Sequence, residues 1–257
     1  MTTALIIGSG AAAAGAALAL SPRENLEITV IDIGLQLESD RKRLIDGLAS
    51  SSPDEWDEQT IEVISKQSVA ARSSGVPEKR VFGSDYPFRN AGQLRGLTTV
   101  NGANASLISP AYGGFSNVWG SQIMPFTTAA FEGWPVSAAT MRPHYEAILQ
   151  QIPFAGEEDD LADRFPLMRP PAPLPSMSPR SLNVLHAYEK HRSRLNDRGI
   201  TIGKARLALD AGKCIRCGMC MTGCPYGLIY SAAQTFDALR RASRVTFYGG
   251  LLALKVT

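Results

Sequence analysis

Four cysteines form the most specific chemical pattern in the chain. Cys214, Cys217, Cys220 and Cys224 occur as CIRCGMCMTGCP, the Cys-x2-Cys-x2-Cys-x3-Cys-Pro run whose thiolates hold iron-sulfur clusters. Zinc sites usually separate their cysteine pairs by about a dozen or more residues, and disulfide frameworks are typical of secreted domains. The run therefore favours an iron-sulfur cluster over zinc or an adventitious metal and over a metal-free thiol loop.

The cysteine count limits the chain to one cluster. In two-cluster ferredoxins the fourth cysteine of such a run ligates the other cluster, and the four cysteines here cannot complete a second one. Either Cys224 closes a 4Fe-4S site, or the first three thiolates hold a 3Fe-4S core or a cubane with one non-cysteine ligand. Gly218 and Gly223 allow the loop to curl toward the cluster, and Arg216 is expected to raise its reduction potential.

A second candidate site lies in residues 3–19, which read TALIIGSGAAAAGAALA. The pattern predicts a strand, a tight turn and a helix whose N-terminus faces phosphates. Gly8 allows the backbone to reverse, Gly10 leaves room for a pyrophosphate, and Ala13 keeps the helix close to the strand. A second apolar run over 26–33 ends in Asp32, where a carboxylate can accept ribose hydroxyls. With Ser9 in the turn, these residues predict a dinucleotide half-site for FAD or NAD, and a βαβ unit without ligand is the alternative.

A third segment, YGGFSNVWG over 112–120, favours contact with a ring system. Gly113 and Gly114 allow close backbone approach, Ser116 and Asn117 can donate hydrogen bonds, and Trp119 offers a flat surface. The alternative is a glycine-rich turn into a helix, with the indole in an ordinary core.

These segments together resemble bacterial members of the glucose-methanol-choline (GMC) flavoprotein oxidoreductases. IIGSGAAAAG, Asp32, GGFSNVWG and FEGWPVSAATMRPHYEAI occur in the family's order and at similar spacing, and the resemblance covers most of the chain. It implies that the first turn holds the ADP part of FAD, with Gly114 and Ser116 along the flavin and its pyrophosphate. Val118 stands where some relatives carry a histidine linked covalently to the flavin, so the resemblance implies non-covalent FAD.

The resemblance also implies a reaction. Some bacterial GMC dehydrogenases carry an iron-sulfur cysteine cluster just before a segment like GCPYG. The expected activity is a dehydrogenase that oxidises a CH-OH group of a sugar or another polyol and passes electrons through the cluster to an external acceptor, either a protein or a partner subunit.

No catalytic residue can be named. Family members are considerably longer, and none of the three histidines here matches their C-terminal catalytic histidine. His144 is predicted to be structural, and His186 and His191 to face solvent. The substrate domain is expected to be largely absent. A non-catalytic flavin and iron-sulfur electron-transfer subunit and a truncated inactive remnant are therefore alternatives to the enzyme.

Composition excludes several other classes. A chain of 257 residues with 44% apolar content can form one large domain or one with a smaller companion. Its net charge of +2 does not suggest nucleic acid, and no apolar run of about 18 residues suggests a membrane span. Cysteines concentrated in one site, with no positive residue before the apolar N-terminus, indicate a reducing compartment, so we expect a cytoplasmic protein.

The expected fold class is α/β, with a Rossmann-like FAD-binding domain built on a parallel sheet and a cysteine-rich cluster loop. Residues 1–152 are predicted to form the FAD-binding region, 153–180 a proline-rich linker or arm, and 181–257 a helix, the cluster loop and a return to the FAD domain. Further predictions are two surface helices without chemistry over 37–71, an extended segment over 97–108, helices over 137–152, 181–197 and 231–242, and two short strands over 245–256.

Overall fold

The computed structural model describes residues 2–66, 79–90 and 108–255. The chain divides into two compact units. Unit 1 comprises Met1–Gly120, Gly218–Gly227 and Ser231–Thr257, and unit 2 comprises Ser121–Cys217 and Leu228–Tyr230.

A small parallel sheet forms the centre of unit 1. Its strands are β1 (Thr2–Ile7), β2 (Leu26–Ile31) and β3 (Thr246–Tyr248), in the order β1-β2-β3. In the register, Leu5 pairs with Thr29, and Thr29 pairs with Thr246. Ile28 and Val30 of β2 are buried, as expected for a strand in the middle of a sheet covered by helices. The predicted α/β class with a parallel sheet is confirmed at this level.

Two helices pack against the central strand of this sheet. The first, α1 (Ala11–Leu20), is alanine-rich and therefore a strong helix former. Near the end of the chain, α7 (Ala232–Arg241) begins where the Ser231 hydroxyl accepts a hydrogen bond from the Ala233 N–H, and it buries Phe236 completely. Both helices share one apolar cluster, whose buried members are Ala14, Ala17, Ile28, Val30, Tyr112, Ala232, Phe236, Leu239 and Val245.

The charged region after β2 contains the two predicted helices. They are α2 (Ser39–Ala49) and α3 (Glu58–Ser65), and the Asp57 carboxylate accepts a hydrogen bond from the Thr60 N–H at the start of α3. The end of this prediction, over 67–71, and most of the predicted extended segment, over 97–107, lie outside the described residues.

Unit 2 contains α4 (Ala138–Gln151), α5 (Pro179–Lys190) and α6 (Arg192–Asn196). The predicted linker over 153–180 is partly built into this unit, because Ala155 is fully buried and its N–H donates to the Leu207 carbonyl at 2.9 Å. Backbone bridges join Ala155 to both Ala172 and Leu207. The first segment of unit 1 ends at Gly120, and the predicted FAD-binding region over 1–152 stays a prediction.

The prediction of two short strands over 245–256 is wrong in its second half. After β3, the described residues 249–255 form no strand. The N–H groups of Gly250 and Leu251 instead donate to the carbonyls of Ile33 and Asp32, so the chain turns over the end of β2. Among the helices described, none is long and apolar enough to cross a membrane.

Candidate functional sites

The turn after β1 contains two glycines that are needed for different reasons. Gly8 has a φ of +93°, a conformation that disfavours other residues, and its N–H donates to the Ile31 carbonyl at 2.8 Å. Gly10 has an ordinary φ of −71°, and a Cβ added there would meet no atom within 4 Å. Neither the backbone conformation nor the packing of protein atoms therefore requires glycine at position 10. A ligand that approaches this backbone closely would require it.

The N-terminus of α1 is suited to an anion. Gly10 caps this ten-residue helix without a side-chain hydrogen bond, and its first turn carries no acidic residue. Its leading N–H groups have no partner within the helix, and the helix dipole adds partial positive charge there. Ala13 is half-buried and packs against the apolar cluster, as its predicted role in keeping helix and strand close requires.

Ser9 connects the turn to two other candidate residues. Its hydroxyl donates a short hydrogen bond to Asp32 Oδ2 and accepts one from the Gly113 N–H at 2.9 Å. Burial raises the pKa of Asp32, and the hydrogen bond from Ser9 partly offsets this increase. The Asp32 carboxyl thus lies at the end of β2, where the sequence predicts it, but one of its oxygens already contacts the turn.

The two glycine-rich segments meet in unit 1. Gly113 and Gly114 have φ values of +88° and +59°. A Cβ on Gly114 would lie 3.1 Å from the Gly10 Cα, and one on Gly113 would lie 2.9 Å from the Ala233 nitrogen. Glycines at these positions therefore allow the segment to pass between the first turn and the start of α7. The fold brings together two motifs that the sequence singled out separately.

Ser116 and Asn117 make hydrogen bonds within the protein. The Ser116 hydroxyl donates to the Gly113 carbonyl at 2.5 Å and accepts from the Ala232 N–H at 2.8 Å. Asn117 Nδ2 donates to the Gly114 carbonyl at 2.8 Å. These side chains hold the glycine segment and the start of α7 in place, a role that was not predicted for them.

Trp119 and Val118 follow in the same segment. Trp119 is half-buried, and its carbonyl accepts a hydrogen bond of 3.4 Å from Lys79 Nζ. Val118 packs against a second apolar cluster that contains Val81, Tyr86 and Ala111.

The cysteine run passes from one unit into the other. Cys214 and Cys217 belong to unit 2, and Cys220 and Cys224 belong to unit 1. All four are thiols, of which Cys220 is exposed and the others are half-buried. The described residues contain no group of three or more His, Cys, Asp or Glu side chains placed to hold a metal ion. Among its described residues, the structure thus does not bring the four predicted ligands together as a metal site.

The loop itself has the flexibility and donor chemistry that a cluster requires. Gly218 and Gly223 have φ values of +81° and +143°, which give the curled backbone expected from the sequence. Four thiols without competing disulfides are the ligands that iron-sulfur clusters use.

Sequence reasoning missed the residues that support the second half of the cysteine run. The Phe82 N–H donates to the Thr222 carbonyl at 2.9 Å, and Trp56, between α2 and α3, stacks on Tyr226 with ring centroids 6.4 Å apart. The region over 37–71 was predicted to carry no chemistry. Its Trp56 has a packing role, since it stacks on Tyr226, two residues after Cys224. Only the aromatic residues within an otherwise charged stretch could have signalled this.

The three histidines lie at the surface. His144, His186 and His191 are all exposed and all lie in unit 2. The predicted solvent-facing positions of His186 and His191 are confirmed, whereas His144 contributes nothing to a buried core.

Comparison with known proteins supports one of the two candidate sites. Residues 209–229 match the family model of a 4Fe-4S binding domain, a range that contains all four cysteines. No curated protein matches the chain. The match indicates iron-sulfur electron transfer and does not extend to either glycine-rich segment.

Proposed function

We propose that this protein is a flavin-linked iron-sulfur oxidoreductase. In this proposal FAD binds non-covalently in unit 1, and a 4Fe-4S cluster held by the cysteine run passes electrons to an external acceptor. The substrate is proposed to be the CH-OH group of a sugar or another polyol. Flavin would supply two-electron oxidation of the alcohol carbon, and the cluster one-electron transfer to the acceptor.

The observation that carries the flavin proposal is the meeting of the two glycine-rich segments. Open space surrounds the position of a Cβ on Gly10, directly before the uncapped N-terminus of α1. A Cβ built on Gly114 would lie 3.1 Å from the Gly10 Cα, so Gly114 borders this turn. Asp32 directly follows the neighbouring strand β2. A pyrophosphate on α1 and a ribose at Asp32 would use these features. Since NAD could use the same features, the choice of FAD depends on the resemblance of GGFSNVWG to flavoproteins.

The cluster proposal depends on donor type and spacing. The family match covers Cys214, Cys217, Cys220 and Cys224, and their order is that of ferredoxin-type ligands. Gly218 and Gly223 supply the backbone freedom that allows the thiolates to turn inward. As in other metal-binding loops, binding of the cluster would itself supply the free energy that orders its ligands.

A second candidate function is a non-catalytic electron-transfer subunit. Alcohol oxidation needs a general base to accept the hydroxyl proton, and histidine is the usual choice. All three histidines are exposed, and none matches the catalytic histidine that the resemblance to GMC members implies. This observation favours a protein that receives electrons from a partner carrying the catalytic base.

Three measurements test these proposals. First, the full chain purified anaerobically should take up FAD with quenching of flavin fluorescence, and NAD should not compete. Measurable NAD affinity without FAD uptake would overturn the flavin proposal. Second, the preparation should contain iron and acid-labile sulfide, whereas stoichiometric zinc without sulfide would overturn the cluster. Third, reduction of bound flavin by a panel of sugars and polyols would support the enzyme. Flavin reduction only by an added protein or chemical donor would support the electron-transfer subunit.

A further inference from the structure

A cavity of about 210 Å³ lies within unit 2, and none of its lining residues belongs to the glycine site or to the cysteine run. One wall is the face of α4 that carries Tyr145, Ile148 and Leu149, which lie three and four positions apart. Further walls come from the segments 123–125 and 166–168. Since these walls are apolar or aromatic, the cavity suits an apolar molecule.

Hydrogen bonds between the walls hold this cavity in shape. The Ile123 N–H donates to the Arg206 carbonyl at 2.8 Å, which fixes the segment 123–125 beside Arg206. Arg169 Nη1 donates to the Leu149 carbonyl, which ties the segment 166–168 to the end of α4. The cavity is therefore preformed, and a ligand would not have to order its walls.

Arg206 is the charged residue among the described residues that line the cavity, and its side chain is 1% exposed. Its Nη1 donates to the Lys204 carbonyl at 2.7 Å, and its Nη2 donates to Asp159 Oδ1 at 2.8 Å. Burial raises the pKa of Asp159, but hydrogen bonds from Arg206 and the Lys204 N–H more than offset this and leave the pKa below its usual value. An ionised carboxylate thus already balances the guanidinium charge.

The third nitrogen of this guanidinium lacks an acceptor. Arg206 Nε is buried and has no hydrogen-bond partner within the part of the chain that the structure describes. A buried donor without a partner costs free energy, and such groups are rare in folded proteins. The cavity that Arg206 lines is a place from which an acceptor could be supplied.

We propose that this cavity binds a small uncharged apolar molecule whose carbonyl oxygen accepts a hydrogen bond from Arg206 Nε. A guanidinium can only donate, so the polar group of the ligand must be an acceptor. A carboxylate is disfavoured there, because Asp159 already pairs with Arg206 and would repel a second negative charge. An apolar cavity of about 150 Å³ can hold benzene, so about 210 Å³ leaves room for one substituted ring. Neither FAD nor a cluster takes part.

The test compares three probes of similar shape on the full chain by isothermal titration calorimetry. Acetophenone, an uncharged aromatic ketone, should bind. Ethylbenzene, which lacks the oxygen, should bind about tenfold more weakly or worse, because Nε then stays without a partner. Benzoate, which carries a negative charge, should also bind more weakly than acetophenone. In a ¹H–¹⁵N spectrum, the Arg206 Nε–H signal, assigned through the side-chain carbons, should shift with acetophenone and not with ethylbenzene.

A matched pair of variants tests the location. Ile148→Trp should fill the cavity and lower acetophenone affinity about tenfold or more. Leu182→Trp places the same side chain on α5, at an exposed position outside the cavity lining, and should keep wild-type affinity.

Several results would overturn the proposal. Equal affinity for ethylbenzene and acetophenone would remove the role of Nε, and tighter binding of benzoate would show that the site takes an anion. Undiminished binding in folded Ile148→Trp would place the ligand elsewhere, and binding of none of the three probes would leave a cavity that holds water only. If Ile148→Trp does not fold, the Arg206 Nε–H signal decides, since acetophenone binding without a shift of this signal contradicts the proposal.

Discussion

The cysteine run places its four candidate ligands in one continuous loop, whereas the glycine site joins Ser9 to Gly113 across 104 positions of the chain. The first site matches a family model, although the described residues do not gather its thiols. The fold brings the two segments of the glycine site together, although neither segment falls within the range that matches the family model.

The difference follows from what each site must provide. An iron-sulfur cluster gathers its own ligands, so the chain needs only the correct donors at spacings that a flexible loop can close. A nucleotide site must offer prearranged N–H groups and open space, because a flexible ligand loses much of its binding free energy if the protein must also be ordered. We therefore expect substitutions in the cysteine loop to abolish cofactor binding and leave the fold intact. In the glycine site, some substitutions should lower the stability of the fold, and others should weaken ligand binding.

The largest expected effect is that of Cys217→Ser. A serine hydroxyl is a poor substitute for a thiolate ligand, so iron and sulfide content should fall nearly to zero and the visible absorbance should disappear. Because Cys217 belongs to no disulfide, the thermal unfolding midpoint of the apoprotein should change little. Iron and sulfide analysis after anaerobic reconstitution, with calorimetry of the apoprotein, provides the measurement.

Two further variants make this first result specific. Met221→Leu changes an exposed side chain in the same loop and should retain the full cluster. Cys224→Ser should leave a three-iron species detectable by electron paramagnetic resonance in the oxidised state if Cys224 is the fourth ligand. A full cluster in Cys217→Ser would contradict the assignment of the run.

The next effect separates the two glycines of the first turn. Gly8→Ala should lower the free energy of unfolding by about 1–3 kcal/mol, because alanine is strained at a φ of +93°. Gly10→Ala should leave the fold intact, since its Cβ meets no protein atom within 4 Å. If FAD binds as proposed, the variant should instead raise its dissociation constant by about tenfold or more, equivalent to at least about 1.4 kcal/mol. Denaturant unfolding and flavin fluorescence titration measure the two effects.

Gly8→Ala and Gly10→Ala thus serve as controls for each other. If Gly10→Ala bound FAD with wild-type affinity, the open space at this turn would not be a pyrophosphate site, and the comparison between the two regions would fail.

A smaller effect is expected from Ser116→Ala. The variant removes the acceptor of the buried Ala232 N–H at the start of α7, which should cost about 1 kcal/mol of unfolding free energy. Denaturant unfolding of the apoprotein is the measurement, and exposed Ser193→Ala is a suitable control. Loss of FAD affinity without loss of stability would instead show that Ser116 contacts the ligand, as the sequence suggested.

The smallest expected effect concerns the pH dependence of the free energy of unfolding in the acid range. The folded-state pKa of Asp32 is raised above 3.8, chiefly by burial. Its stabilising contribution is therefore fully present below pH 3.8 and is lost as the pH rises through the raised pKa. Asp32→Asn does not titrate, so this decline should disappear from the pH dependence of unfolding of the apoprotein, while exposed Asp46→Asn should leave it in place. An unchanged decline in Asp32→Asn would contradict the assignment.

Elements with local signals could be predicted from the amino-acid sequence. Apolar runs and alanine content over 3–33 predicted β1, α1 and β2, and the spacing of four cysteines predicted the cluster loop that the family match supports. Ser231 correctly marked the start of α7. In each case the residue types and their spacing lie within a short window of sequence, so the sequence could indicate the element before any distant contact was known.

Contacts between distant residues could not be predicted in this way and are known from the fold. The contact of Gly114 with Gly10, the use of Ser116 to hold α7, and the support of the cysteine loop by Phe82 and Trp56 are absent from every local pattern. The same is true of the pairing of Ala155 with Leu207, which places a predicted linker inside unit 2. Such contacts depend on burial and backbone hydrogen bonding between segments far apart in the chain. They form only when the chain folds and brings those segments together.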